Sequence, residues 1–217
     1  MKVRALLITV FLSFLCCRAS SQAFKGHRIG ETAEQFFSIA RMAEHNTPAR
    51  QYCQDYLANP KVLRAYGRVK THPDDTRAVA LAIDVDGCRD VQSALGGQSV
   101  KVDARYAAEL GGGWAEFNNA RLLRFKFSLK KEIPFEDVVT DIGKELGGAE
   151  STTSLITRQV EGGAIVQERR AVWSVEHLHV QADEVKDYEF GGTEVAVTVA
   201  GSEYLKEKEA TRPSTIR

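Results

Sequence analysis

The spacing of apolar residues along this chain alternates between a helical and an extended period, and this alternation limits the folds open to it. Apolar side chains first recur every three to four residues, then at every second residue. They return to helical spacing near residue 135 and then alternate again. The predicted order is therefore helices, strands, helix, strands, with tight turns between neighbouring strands. This order predicts an α+β fold, in which helices pack on one face of a largely antiparallel sheet.

The N-terminal region carries clear signals for helix starts. Thr32 is followed three residues later by Gln35, which predicts a capping box at the start of the first helix. Asn59 and Pro60 predict the cap and first position of another short helix, which Gly67 is expected to end. Helices therefore precede the first strands.

The extended segments are marked by alternation and by turn residues. Residues 79–85 alternate between large apolar and smaller side chains, which suggests a strand, with a buried helix as the open alternative. Asn118 and Asn119 lie between two alternating segments and predict a hairpin, because asparagine tolerates the positive φ of such turns. Later strands are predicted at residues 155–160, 164–172 and 193–200, with a weaker signal at 175–181.

The strongest helix signal follows Pro134. Pro134 suits the first helical position, acidic side chains occupy the first turn, and Gly147 marks the end. One apolar face is formed by Phe135, Val138, Val139, Ile142 and Leu146. Since a helix precedes a run of strands twice, an internal duplication whose two copies have diverged in sequence is one interpretation of the chain.

The N-terminus has the pattern of a secretory signal peptide. Lys2 and Arg4 precede an apolar run at residues 5–17, and small residues follow. Cleavage is expected after Ala23, with Ala19 as the second choice. This interpretation predicts an exported chain, periplasmic or secreted, with a signal peptide at residues 1–23. A single domain at 24–205 and a flexible tail at 206–217 then follow. No later segment has the apolar length that a membrane-spanning helix needs.

Two cysteines remain once the signal peptide is removed. Cys53 and Cys88 are then the only thiols, and an even pair in an oxidising compartment is expected to form a disulfide. Their spacing of 35 residues matches no C-x-x-C motif. The alternative is a pair of buried free thiols that act as small apolar side chains.

A short motif resembles known envelope proteins. The sequence Ile-Gly-Glu-Thr at residues 29–32, which leads into a helix and then strands, resembles the start of small outer-membrane-assembly lipoproteins. It also resembles the repeats of secreted β-lactamase-inhibitor proteins. The resemblance implies short helices on a small antiparallel sheet that mediates protein–protein contact, and it transfers no functional residue.

Few motifs in the sequence indicate catalysis or metal binding. No nucleophile elbow, phosphate-binding loop or zinc-protease motif is present, so we predict no catalytic residue, no cofactor and no metal. His177 and His179 are the most metal-like pair, but Asp183 or Asp187 would reach them only if the chain turned back, so surface histidines are the favoured interpretation. Residues 84–87, Asp-Val-Asp-Gly, are interpreted as a turn rather than a calcium loop.

One basic stripe is a candidate interaction surface. Arg124, Lys126 and Lys130 alternate with Phe125, Phe127 and Leu129, so the cations are expected on the outward face of that strand. Such a stripe would attract an acidic partner, a lipid headgroup or a glycan. A solvated sheet face is the alternative interpretation. Because 29 basic residues balance 29 acidic ones, nucleic-acid binding through bulk charge is excluded.

The sequence is compatible with three functional hypotheses. The leading hypothesis is an exported, non-enzymatic module of the bacterial cell envelope that binds an envelope protein or a small ligand. The first alternative is an exported hydrolase whose site forms only in three dimensions from Glu176, His177, His179 and Asp183. The second alternative is a purely structural envelope protein, which would have no saturable partner.

Overall fold

A computed structural model describes residues 23–69, 76–129, 133–159, 163–186, 193–202 and 204. The α-helices in this part of the chain are α1 (Ala33–Ile39), α2 (Ala49–Ala58), α3 (Pro60–Val69), α4 (Thr76–Leu95) and α5 (Phe135–Glu145). The strands are β1 (Val100–Asp103), β2 (Trp114–Asn118), β3 (Arg121–Leu129), β4 (Thr152–Gln159), β5 (Ile165–Val175), β6 (Leu178–Lys186) and β7 (Thr193–Gly201). The predicted signal peptide, apart from Ala23, and the predicted C-terminal tail lie outside the described residues.

The strands form one antiparallel sheet in the order β1-β2-β3-β7-β6-β5-β4. Two meanders, β1 to β3 and β4 to β7, join where their last strands pair, with Phe125 opposite Val199 and Phe127 opposite Val197. The α+β prediction is confirmed. Four C-terminal strands are present as predicted, but the one expected at 175–181 begins later, at Leu178, because β5 extends to Val175. Each meander follows at least one helix, which agrees with the duplication hypothesis, and that hypothesis stays a prediction.

The helices cover one face of the sheet and bury the core there. Phe36 of α1 packs edge-on against Phe117 of β2, with ring centroids 5.1 Å apart. On the other half of the sheet, Val138 and Ile142 of α5 line an apolar cavity together with Phe127 of β3. Aromatic and branched side chains from both halves belong to one buried cluster. Burial of this continuous apolar surface is the main stabilising contribution to such a fold.

The start signals of the helices are confirmed. In α1 the Gln35 backbone N–H donates to Thr32 Oγ1 at 3.1 Å, and the Thr32 N–H donates to Gln35 Oε1 at 2.9 Å. Pro134 is the N-cap residue of α5, so that helix begins at Phe135, one residue later than predicted. The predicted end of α3 is wrong, because that helix continues through Gly67 to Val69. Packing of α3 against α4 outweighs the roughly 1 kcal/mol that an interior glycine costs.

The strand predicted at residues 79–85 is wrong, since these residues belong to α4. The side chains of α4 that are buried recur at helical spacing and are Val85, Cys88, Val91 and Ala94. Val79 and Ile83, which suggested alternation, are 38% and 49% exposed. Alanines between the branched residues favour the helix, because alanine has the highest helix propensity. The turn predicted at residues 84–87 is also wrong, because it too lies inside α4.

The predicted disulfide between Cys53 and Cys88 is confirmed. Cys53 lies in α2 and Cys88 in α4, and both side chains are fully buried. The Cα atoms are 4.9 Å apart, within the range that a disulfide spans. Because the segment before Cys88 is helical, the bridge joins two helices and not, as expected, a helix and the end of a strand.

Gly87 gives Tyr106 room against α4. A β-carbon on Gly87 would lie 2.3 Å from the Tyr106 ring, far inside van der Waals contact. Tyr106 is fully buried, and its hydroxyl donates to the Asp84 carbonyl at 3.0 Å. Burial raises the pKa of the phenol, so the hydroxyl stays protonated and can donate. A glycine that sequence rules assign to a turn therefore serves helix packing.

The hairpin between β2 and β3 turns one residue later than expected. Its two central residues are Asn119 and Ala120, with φ of 50° and 54°. Asparagine tolerates this left-handed conformation, whereas alanine adopts it at a cost. The turn carbonyl of Ala120 accepts a hydrogen bond from Ala33 at the start of α1, at 2.8 Å. The hairpin therefore fixes the position of α1 on the sheet.

Within the described ranges, no helix is both long enough and apolar enough to cross a membrane.

Candidate interaction surface

The face of the sheet opposite the helices, called the open sheet face below, carries polar and charged side chains from six strands. Strand register places the following residues on it: Lys101, Trp114, Glu116, Arg124, Lys126, Thr198, His179, Gln181, Asp183 and Arg170. They are partly or fully exposed, whereas their neighbours in sequence on β2, β3, β6 and β7 point into the core. None of the helices α1 to α5 lies on this face, and Tyr204, in the helical segment after β7, borders it.

Two of the three predicted surface residues lie on the open sheet face. Arg124 pairs across the sheet with Glu116 and Ala200, and Lys126 pairs with Trp114 and Thr198. Lys130 lies outside the described residues. The alternation of cations with buried phenylalanines therefore predicted the exposed side of β3 correctly at both positions that can be compared.

Arg124 contacts two aromatic rings and a carboxylate on this surface. Its guanidinium carbon lies 4.7 Å from the ring centroid of Trp114 and 4.5 Å from that of Tyr204. Trp114 lies on β2 and Tyr204 follows β7, and these are the two strands that neighbour β3. Arg124 Nε donates to Glu116 Oε2 at 2.5 Å. Lys101 continues the row, with its ammonium 4.2 Å from the Trp114 ring centroid.

Sequence reasoning missed the aromatic part of this surface. It placed Phe125 and Phe127 inward, which is right, and did not consider the aromatic residues of neighbouring strands. Trp114 and Glu116 alternate with the buried Ala115 and Phe117, so the pattern of β2 contained the signal for their outward direction. Tyr204 follows β7 and lies beside Arg124 only through the strand order, for which the sequence carries no signal.

Small residues lie beneath the long side chains of the open sheet face. Ala196 and Ala200 are on this face by register, yet they are only 3% and 2% exposed. Ala200 pairs with Arg124 on one side and His179 on the other. Their burial means that longer neighbours cover them. Arginine stems in such positions contribute packing as well as charge.

On the other half of the open sheet face, the charges of Arg170 and Asp183 compensate each other. Arg170 donates to Asp183 through two hydrogen bonds, Nε to Oδ1 at 2.6 Å and Nη2 to Oδ2 at 3.1 Å. Gln181 Nε2 donates to the same carboxylate at 2.7 Å. The Asp183 carboxylate therefore accepts hydrogen bonds from both Arg170 and Gln181. The surplus positive charge is therefore concentrated on β1 to β3, around Arg124.

The structure does not bring the alternative hydrolase residues together. Glu176 and His177 occupy the exposed turn between β5 and β6, where their side chains are 3.4 Å apart. His179 is on the open sheet face opposite Ser174, with 3.5 Å between His179 Nδ1 and Ser174 Oγ. Asp183 lies four residues further along β6, about 13 Å away at strand geometry, and is bonded to Arg170.

A second titratable cluster, which the sequence did not reveal, surrounds His27. Its ring is fully buried and stacks on Phe36, with centroids 3.9 Å apart. Nδ1 lies 2.8 Å from Glu31 Oε1 and Nε2 lies 2.7 Å from Glu109 Oε1. Burial alone lowers the pKa of His27, but the hydrogen bonds and charges of Glu109 and Glu31 outweigh it and raise the pKa above its ordinary value. With both nitrogens occupied, this imidazole is a structural group that holds the N-terminal segment.

Two buried carboxylates near the β4 edge are also structural. Burial raises the pKa of Glu168, but the hydrogen bonds from Arg158 and the Lys186 backbone outweigh it and lower the pKa. Hydrogen bonds from Arg169 lower the pKa of Glu184 in the same way. Each carboxylate is held by an arginine fork, which keeps it ionised and bonded.

Within the described ranges, no group of three or more His, Cys, Asp or Glu side chains is arranged to hold a metal ion. An apolar cavity of about 240 Å³ lies on the helix side, between β3, α5 and the N-terminal segment. Its lining residues are Phe24, Lys25, Phe127, Leu129, Ile133, Val138, Asp141, Ile142 and Glu145.

Comparison with protein families, curated proteins and solved structures finds no match to this chain. The resemblance at residues 29–32 therefore stays a prediction.

Proposed function

We propose that this chain is an exported, non-enzymatic binding module of the bacterial cell envelope, and that the open sheet face binds its protein partner. The observation that carries the proposal is the cluster of Arg124, Trp114 and Tyr204 on a sheet face that helices α1 to α5 leave uncovered. Arginine, tryptophan and tyrosine are the side chains that contribute most to protein–protein affinity. Aromatic and arginine side chains held in place lose little entropy on binding.

Two further observations support export and a binding role. Disulfides such as Cys53–Cys88 persist mainly in oxidising compartments, which agrees with the export that the signal-peptide pattern predicts. The hydrolase residues are separated along the β5–β6 hairpin, so they favour no second function. A saturable partner would distinguish the binding module from a purely structural envelope protein.

The proposal is tested by site-specific cross-linking. A photoreactive residue replaces Lys126 on the open sheet face, and in a matched control it replaces Lys144 on α5, an exposed site with 71% of its side chain accessible. Each purified chain is irradiated with envelope extract of its source. We expect a discrete adduct from the first site only, which unlabelled chain competes away. Equal adduct patterns from both sites, or turnover that one polar substitution abolishes, would contradict the proposal.

A further inference from the structure

Arg124 has an arrangement that a merely solvated arginine does not need. Two aromatic rings lie within 4.7 Å of its guanidinium carbon, and Glu116 accepts its Nε–H. Its side chain is 23% exposed, as is that of Glu116. A side chain that would be mobile on an ordinary sheet surface is thereby held in one place. The entropy of ordering it is lost on folding and not on binding.

The contacts leave the end of the guanidinium available. An arginine has five N–H donors in a planar fork, and Nε uses one of them here. Nη1 and Nη2 of Arg124 have no hydrogen-bond acceptor among the residues that the structure describes. The rings of Trp114 and Tyr204 reduce the access of water to the guanidinium. A planar, partly desolvated fork with unused donors is best satisfied by a carboxylate in a two-point contact.

The charge around Arg124 favours the same ligand. Lys126 lies on the same face and the same strand as Arg124, and Lys101 lies on that face two strands away, on β1. Glu116, between them on β2, is engaged by Arg124 itself. Asp103, at the end of β1, accepts from the Arg105 backbone N–H at 2.8 Å and pairs with the Arg105 side chain. The cations therefore exceed the unengaged anions on this part of the surface, which attracts a negatively charged partner.

We propose that Arg124 is the anchor for an aspartate or glutamate side chain on an acidic segment of the partner protein. Nη1 and Nη2 would donate to the two carboxylate oxygens, with Trp114 and Tyr204 packing against the partner's side-chain stem. Lys101 and Lys126 would bind flanking acidic residues. This inference rests on the proposed function of the open sheet face and adds the chemistry of its partner.

The test uses the full chain without its signal peptide and a defined probe. The probe is a 12-residue peptide of alternating glutamate and serine, and the matched control peptide has glutamine in place of every glutamate. Calorimetry gives the affinity, and the Arg124 Nε–H resonance in ¹H–¹⁵N spectra reports the contact directly. Vesicles of anionic phospholipid are tested in parallel as a competing source of negative charge.

We expect the acidic peptide to bind and to shift the Arg124 resonance, and the glutamine peptide to bind at least tenfold more weakly. The Arg124→Lys variant keeps the charge but loses the planar fork, so we expect it to weaken binding about tenfold. Trp114→Leu should weaken binding through the loss of the ring that holds the fork. Lys144→Gln, which removes a cation from the helix side, should leave the affinity unchanged.

Three results would overturn the inference: equal binding of the two peptides, unchanged affinity in Arg124→Lys, or binding to vesicles without binding to the acidic peptide. Correct folding of each variant is checked by its disulfide and its amide spectrum. Failure of this inference is distinguishable from failure of the proposed function. If a partner cross-links at position 126 equally well in the native chain and in the Arg124→Lys variant, the binding function stands and the Arg124 anchor is refuted.

Discussion

Reduction of the Cys53–Cys88 bond is the perturbation whose effect follows most directly from the structure. The bond closes a loop with a sequence separation of 35 between α2 and α4. In the chain-entropy treatment, a loop of this length restricts the unfolded chain enough to stabilise the fold by about 4 kcal/mol at 25 °C. Reduction removes the constraint without removing an atom from the core, so the entropic contribution is measured by itself.

The assay is urea unfolding of the chain without its signal peptide, with and without a phosphine reductant. With an m-value of about 2 kcal/mol/M, a loss of about 4 kcal/mol lowers the urea midpoint by about 2 M. The double variant Cys53→Ala/Cys88→Ala is the control, because reductant cannot affect it. We expect it to be less stable than the reduced native chain, since both sulfurs are fully buried and their removal leaves unfilled space.

Two results would refute this reasoning. Two reactive thiols in the denatured, unreduced chain would mean that the bond does not form. Coincident unfolding curves for the oxidised and reduced chains would mean that the bond forms without constraining the unfolded state, and the loop-closure estimate would then be wrong.

Three further predictions concern stability. Ala120→Gly should raise the free energy of unfolding by about 0.5–1 kcal/mol, because glycine removes the cost of a positive φ in the hairpin; a lower urea midpoint would contradict this. Gly87→Ala should cost about 2–4 kcal/mol, since its β-carbon would overlap the Tyr106 ring, and the same change in a Tyr106→Ala background should cost much less. The raised pKa of His27 stabilises the fold fully below its unfolded pKa of about 6.5, and this stabilisation is lost as the pH rises through the folded pKa. The melting temperature should therefore fall above pH 6.5 more steeply in the native chain than in His27→Gln, and parallel pH profiles would exclude this contribution.

The sequence predicts structure correctly where the residues of a single helix or strand are sufficient to determine its conformation. The capping box at Thr32 and the outward direction of Arg124 and Lys126 were predicted correctly, and the start of α5 was predicted to within one residue. Each depends on residues within one helix turn or one strand, where side-chain spacing and backbone hydrogen bonding act at short range. The disulfide was also predictable, because only two cysteines remain after the expected cleavage.

The wrong predictions, for residues 79–85 and for Gly87, have a common cause. Residues 79–85 have an alternating pattern, and nothing local distinguishes a strand from a helix in so short an apolar run. Contacts with α2, α3 and the cross-linked Cys53 select the helix. Gly87 was interpreted as a turn residue for the same reason, since Tyr106, which requires it, lies 19 positions away in the sequence.

The sequence by itself determined the α+β class, the order of most elements, the cross-linked pair and the exposed side of β3, because periodicity and capping operate between near neighbours. Only the tertiary structure decided which strands lie side by side. Trp114, Arg124 and Tyr204 come from three parts of the chain, and they meet because β3 lies between β2 and β7. The buried His27 between Glu31 and Glu109 arises in the same way, with Glu109 contributed from 82 residues away. Strand order depends on the burial of the whole core, which local spacing does not encode.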